Sequence, residues 1–497
     1  MKRIDVNLSK NDLSARPKIP ALRRKISQNS PDTTPTPKKR LMSPKKKTIL
    51  IILGTMLVLL GACGCILYRA NHLLGIMGFN TNPASTIGNL FSQKDPELKK
   101  DSQNRTNILL AGIDTRPNNQ GLQNTDTIII ASYNHSSNEM IMISIPRDMW
   151  AEYPDMPGYF TKINGIYNYC ENEKEGTGLE CLVKTTETIT ELDIQYYAMI
   201  DVRALVEIVD TIGGIDIDVE RSFNYSFPTD QNTWEPGYFE AGMQHMDGET
   251  AMKYARSRYS QSAEGSDFAR ARRQQKLLLA AKDKILSLDT FKTPLTVIEI
   301  IEQLGKGITV SDISTEDIRA AMNLRDNADT LKSYSVVLNP MAGNWELITE
   351  DSSTAAHVLV PKAGSGNWTN VHEYLEHLYD DPELYTENKK VVVYDCGLGY
   401  NEAYTQYLKL IKDMPYLNIV FGGTSAYQQT GNLVVSFDDE APAASLKAYA
   451  SYIEGKQAFT PPEGLLNSYA EDISIIFGAL EPAADTAVPT ETDTTTN

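Results

Sequence analysis

Residues 48–68 (TILIILGTMLVLLGACGCILY) form a run of 21 residues without a charge. As a helix this run would be roughly 31 Å long, about the thickness of a bilayer's hydrocarbon core. Such a run divides the chain into segments on either side of a membrane. Lys45, Lys46 and Lys47 precede it directly, and residues 1–47 hold 14 Lys and Arg against 3 Asp and Glu. The rest of the chain holds 33 against 61, a net of −28. The positive-inside bias predicts a cytoplasmic N-terminus, a single transmembrane helix acting as an uncleaved signal-anchor, and everything after Tyr68 outside the cell. A cleaved signal peptide would have a shorter n-region and a shorter apolar core. The tail is rich in Ser, Thr and Pro, so it reads as disordered. Its cations suit anionic lipid headgroups, and no nucleic-acid partner is expected.

Beyond a linker at 69–104, short apolar runs at 107–113, 127–133, 140–145, 196–200 and 215–219 read as strands. Residues 202–211, a helix capped by Asp247 that runs through Arg256, and a helix at 268–288 lie between or after them. A segment at 308–324, a strand at 333–338 and a helix near 368–378 follow. The alternation predicts a layered α/β domain over 105–380, helices on both faces of a central mixed sheet. A smaller α/β domain is expected over 389–478, with an acidic, low-complexity tail at 479–497. Cys170 and Cys181 flank a polar loop, and a bridge between them is open in an oxidising compartment. Cys396 is left unpaired, and no cysteine spacing makes a zinc site.

The chemistry is concentrated in four clusters: Gly112–Arg116, Thr125–Thr127, Ser144–Asp148, and Tyr254–Arg258 with Asp267–Gln274. Two carboxylates and several guanidinium forks suit a magnesium-bound pyrophosphate, because arginine grips phosphate bidentately and magnesium prefers hard oxygen ligands. Asp114 ends one predicted strand and Asp126 begins another, so both fall at one sheet edge if those strands are neighbours. They are the candidate magnesium ligands. Singly, each reads more readily as an ordinary turn or cap residue. Arg116, Arg147, Arg256, Arg258, Arg270, Arg273 and Gln274 are candidate pyrophosphate contacts. Arg270, Arg273, Gln274 and Leu277 have the spacing of one helical face. Arg272 reads as a solvated charge. His135 and His245 have no evident partners. No phosphate loop, His-Glu-x-x-His or Gly-x-Ser-x-Gly motif occurs, which argues against those nucleotide, zinc and serine chemistries.

Six motifs in order, Gly112–Arg116, Thr125–Thr127, Ser144–Asp148, Gly213–Ile215, Asp247–Arg258 and Asp267–Gln274, make the chain resemble the LytR-CpsA-Psr family over about 105–380. Residues 389–478 resemble, more loosely, the LytR C-terminal domain, whose usual opening is replaced here by VYDCGLG from Val393. The resemblance implies an extracellular, membrane-anchored phosphotransferase. It would move a glycopolymer such as a teichoic acid or capsule from an undecaprenyl-pyrophosphate carrier to peptidoglycan, through a phosphodiester bond. It implies magnesium on Asp114 and Asp126, and Arg147, Arg256 and Arg258 as catalytic groups that also clamp phosphate with Arg270 and Gln274. Asp267 is the candidate base. A polyprenyl-pyrophosphate phosphatase, or a non-catalytic lipid-binding regulator, remains open at this stage.

Overall fold

The computed structural model describes residues 96–480, except 115–122, 229–232, 258–259, 261, 288–306, 353–356, 388, 438–442, 466 and 468. The 48–68 run, the basic tail, most of the linker, and Arg116 and Arg258 lie outside the described residues. Among those described, no helix is long and apolar enough to cross a membrane.

The first sheet contains β1 (Arg105–Ile113), β2 (Thr125–Asn134), β3 (Glu139–Ser144), β4 (Tyr196–Asp201), β5 (Ile308–Val310) and β6 (Lys332–Val337). Its order is β5-β4-β1-β2-β3-β6. β1 pairs parallel with β4 and β3 with β6, while β2 runs antiparallel to both neighbours. The fold is mixed α/β around a central mixed sheet. The C-terminal ends of β1, β3, β4 and β6 and the start of β2 therefore share one edge, where α/β proteins gather ligands.

Alternation along the strands sends Leu109, Ala111, Ile128, Ile130, Ile141 and Ile143 into one continuous core. Helices α1 (Ile166–Glu173) and α2 (Gly178–Thr190) contribute Ile166, Leu182 and Ile189 to it. A disulfide joins Cys170 of α1 to Cys181 of α2, with their Cα atoms 6.5 Å apart. A second core gathers α3 (Val202–Thr211), α4 (Gly248–Arg256) and α5 (Asp267–Ser287) around the two-stranded antiparallel sheet of Ile215–Val219 with Gly242–Met246. Asp247 caps α4 by accepting from the Thr250 amide at 2.9 Å. Gly213 and Gly214 turn the chain into that sheet with φ of 82° and 79°, a region that glycine enters without steric cost. Helix α5 lies across β3 and β6, where Gln275 donates to the carbonyls of Met142 and Val336.

After α6 (Thr315–Asn323), α7 (Thr369–Asp380) and α8 (Pro382–Glu387), a second sheet forms from β7 (Val391–Cys396), β8 (Ile419–Thr424), β9 (Leu433–Ser436), β10 (Lys456–Ala458) and β11 (Ile473–Gly478). Its order is β8-β7-β11-β9-β10. The core beneath the first sheet continues through Leu375 and Leu378 of α7 to Val391, Val393, Ile473 and Ile475. Asn344 also donates to the Ile419 carbonyl at 2.6 Å. Cys396 is buried and unbonded, and burial pushes its thiol up to about 11.

Candidate functional site

The site starts with a missing side chain. A Cβ on Gly112 would lie 2.9 Å from the Thr127 Cβ, closer than unbonded carbons tolerate. Glycine there lets β1 and β2 stay paired to their ends, with Gly112 opposite Thr127 and Ile113 opposite Thr125. The strand ends thus carry Asp114 and Asp126 to the same sheet edge.

Each carboxylate meets a different arginine. Arg256, the last residue of α4, donates to the buried Asp114 carboxylate at 2.6 Å. Arg147 donates to Asp126 at 2.9 Å through Nη1 and to Asp267 at 3.3 Å through Nε. Asp148 lies 3.6 Å from the same Nε. Burial disfavours the Arg147 cation, but Asp126, Asp267 and Asp148 outweigh it and raise its pKa above the ordinary arginine value. The other Asp267 oxygen lies 2.8 Å from Nη1 of the buried Arg270. One carboxylate at the start of α5 therefore orients two guanidinium groups.

Arg147, Arg270 and their carboxylate partners border a cavity of about 250 Å³. Asp126, Arg147, Asp267, Arg270 and Gln274 line its polar part. Ile128, Ile145, Phe268, Val337 and Leu359 form apolar wall. Asp114 and Arg256 are at the same sheet edge but outside this lining. The volume is slightly below the usual ligand range of about 300–1,000 Å³. It would take a charged head group and the start of a chain, not a whole long lipid.

The expected single face of Arg270, Arg273, Gln274 and Leu277 is corrected. Asp267, Arg270, Ala271 and Gln274 face the cavity. Arg273 lies about 60° around the helix from Arg270, on the side away from Gln274. It is 3% exposed. Its donors go to the Tyr254, Glu264 and Ser257 carbonyls at 3.0, 2.9 and 2.7 Å, and to the Glu264 carboxylate at 2.9 Å. Its guanidinium also sits 4.9 Å from the Phe223 ring centre. Arg273 therefore secures the chain after α4 rather than contacting the cavity. Arg272 is exposed. The two histidines do have partners: His245 Nδ1 lies 2.7 Å from Asp216, and His135 Nε2 lies 2.8 Å from Thr106.

Further polar residues absent from the sequence-derived site also line the cavity, among them Thr127, Ser144, Asp148, Glu350 and His357. Ser144 stands inside a motif and was legible by position. Glu350 and His357 come from the hairpin of Ile348–Asp351 with Val358–Pro361, and no local pattern marks them. His357 Nδ1 is 3.7 Å from Glu350.

No group of three or more His, Cys, Asp or Glu poised to hold a metal occurs among the described residues. Two carboxylates at one sheet edge still fit magnesium, which commonly takes one or two and completes its shell with water and phosphate oxygens. Both already accept from arginines, so ligation would exchange those contacts.

The LytR_cpsA_psr family model matches residues 77–354. A relative from Enterococcus faecalis, named polyisoprenyl-teichoic acid–peptidoglycan teichoic acid transferase TagU, is 26% identical over 283 residues, covering 56% of this chain and 83% of that protein. TagV of Bacillus subtilis, named for the same transfer, is 29% identical over 243 residues, covering 49% of this chain and 58% of its own length. The crystal structure of B. subtilis TagV aligns with a TM-score of 0.41 at 23% identity, over 56% of this chain and 98% of that one. With the model spanning more than half of its residues, the chain belongs to the LytR_cpsA_psr family.

Proposed function

We propose that this protein is a membrane-anchored transferase that moves a glycopolymer from an undecaprenyl-pyrophosphate carrier to peptidoglycan, leaving a phosphodiester bond. The observation that carries this reading is the convergence of Arg147, Arg270 and Gln274, with Asp126 and Asp267, on a cavity that also has an apolar wall of Ile128, Ile145, Phe268, Val337 and Leu359. Guanidinium forks suit phosphate oxygens and the apolar wall suits the start of a prenyl chain. The relatives' names, which pair a polyisoprenyl-linked donor with a peptidoglycan acceptor, point the same way.

In this reading Arg147, Arg270 and Gln274 grip the pyrophosphate, joined by Arg256 and by Arg116 and Arg258 from the chain outside the described residues. Magnesium on Asp114 and Asp126 would neutralise developing phosphate charge. Arg147 would release Asp126 or Asp267 to take phosphate instead. Asp267, once one of its arginines has turned to substrate, accepts the acceptor hydroxyl's proton. Such transfers depend mainly on positioning and charge stabilisation. The proposed location is the cell membrane, single-pass, with the cytoplasmic end at the basic tail and the catalytic domain outside. The Cys170–Cys181 bridge is compatible with that compartment.

The test mixes the full chain in detergent with a prenyl-pyrophosphate-linked saccharide, peptidoglycan oligomers and magnesium, and follows products by mass spectrometry. A magnesium-dependent phosphodiester adduct that disappears in Asp126→Ala supports the transferase. Prenyl phosphate released without an adduct identifies a phosphatase instead. Binding without turnover points to a lipid-binding regulator.

A further inference from the structure

Three carboxylates face the Arg147 guanidinium. Asp126 and Asp267 accept from it at 2.9 and 3.3 Å, while Asp148 stands 3.6 Å from Nε. Asp148 is the nearest of the three in sequence and makes the longest contact. Its other oxygen accepts from the Lys162 ammonium. Lys162 ends the hairpin of Trp150–Glu152 with Phe160–Lys162, where it pairs with Trp150. The chain after it runs back along the turn that carries Arg147: Ile163 donates to the Met149 carbonyl at 2.8 Å, and Asn164 to the Arg147 carbonyl at 3.3 Å. Ala151 and Ile163 enter the core, so alternation turns Lys162 to the other face, toward Asp148. The Lys162, Asp148 and Arg147 side chains are 29%, 25% and 20% exposed, so their charges are screened less than those of a surface pair.

We propose that Lys162 is a positioning residue: its ammonium holds the Asp148 carboxylate off Arg147 and so keeps one edge of the guanidinium available to a phosphate. This rests on the pyrophosphate reading of the cavity and adds a residue that acts on it through another. Nε and Nη2 share one edge of a guanidinium, and Arg147 Nη2 has no hydrogen-bond acceptor among the described residues. Asp148 stands at that edge, and among the described residues its ion pairs are with Lys162 and Arg147. Without Lys162, the carboxylate has one cation left to turn to. A shift of less than about 1 Å would close it over Nε and Nη2 in the bidentate geometry that carboxylates adopt with arginine. An incoming phosphate would then have to displace a third carboxylate as well as the two already bound. Lys162 itself need not touch the ligand.

The test measures the affinity of the full chain in detergent for geranyl pyrophosphate, as wild type, Lys162→Met, Asp148→Asn, the double variant, Lys162→Arg and Arg147→Ala. Methionine keeps the length of the lysine stem and removes its charge. Lys162→Met should bind the probe about tenfold more weakly than the wild type. In the Asp148→Asn background the same substitution should cost less than about twofold, because the carboxylate it would release is gone. Lys162→Arg keeps the cation and should stay within about twofold of the wild type. Unchanged affinity in Lys162→Met overturns the proposal. So does a loss that Asp148→Asn does not relieve, which would mean that Lys162 touches phosphate itself or only supports the hairpin. A tenfold loss in Lys162→Arg overturns it as well. Arg147→Ala separates this proposal from the reading beneath it. If Arg147→Ala weakens binding and Lys162→Met does not, the clamp stands and the positioning role falls. If the wild type does not bind the probe, or Arg147→Ala binds it as the wild type does, the pyrophosphate reading falls and the positioning role with it.

Discussion

Arg147 and Arg273 belong to the same set of clustered arginines but have opposite surroundings. Among the described residues the Arg147 guanidinium pairs with carboxylates, which a phosphate could replace oxygen for oxygen. Arg273 is bonded to three backbone carbonyls that no ligand displaces. Arg147→Lys should therefore reduce transfer about a hundredfold or more, because a lysine cannot reproduce the fork, while the melting temperature stays close to wild type. Arg273→Ala should instead cost about 3–5 kcal/mol of stability, leaving Glu264 and the carbonyls without their partner. Steady-state kinetics and denaturant titration of both variants check this; a stable, inactive Arg273→Ala would place it back in the site. The carboxylates and arginines were legible in the sequence as residue types at strand and helix ends. The direction each arginine takes was not, since positions three and four apart on α5 straddle the boundary between the cavity and the second core.

Elements with strong local signals appear where their patterns indicate. The Asp247 cap and the buried runs of β1 to β3 are examples, because alternation and capping act over a few residues. The hairpin of Ile348–Asp351 with Val358–Pro361 was missed. Its strands are four residues each, with mixed polarity, and they depend on pairing that no short window reveals. Helices α1 and α2 are likewise unmarked in the sequence reading, which finds only a polar loop between Cys170 and Cys181, because Gly176 and Gly178 interrupt the apolar spacing. The bridge between these helices closes a short loop, with a sequence separation of 11. Replacing Cys170 with Ser should lower stability by about 2–3 kcal/mol. Ile166, Leu182 and Ile189 stay anchored in the core, so transfer at low temperature should persist. Loss of activity at full stability would show that the helices have a direct part in catalysis.

At the scale of the molecule, one apolar core runs from the first sheet through α7 into the second sheet, so residues 391–478 pack against the catalytic domain rather than trailing from it. Sequence spacing placed strands and helices in this region, but the shared core depends on which faces meet, and that is a property of the whole fold. The sheet edge is likewise a consequence of strand order. Once β1, β3 and β6 run in one direction and β2 in the other, Asp114, Asp126, Ser144 and Arg147 must meet at one edge. The measurement that tests this account most directly is a crystal structure of the protein soaked with a prenyl pyrophosphate and magnesium. The account predicts phosphate density against Arg147 and Arg270, the start of the prenyl chain against the apolar wall at Phe268, and Arg147 turned from at least one of its carboxylates. Pyrophosphate bound elsewhere, with the Arg147–Asp126–Asp267 contacts unchanged, would contradict it.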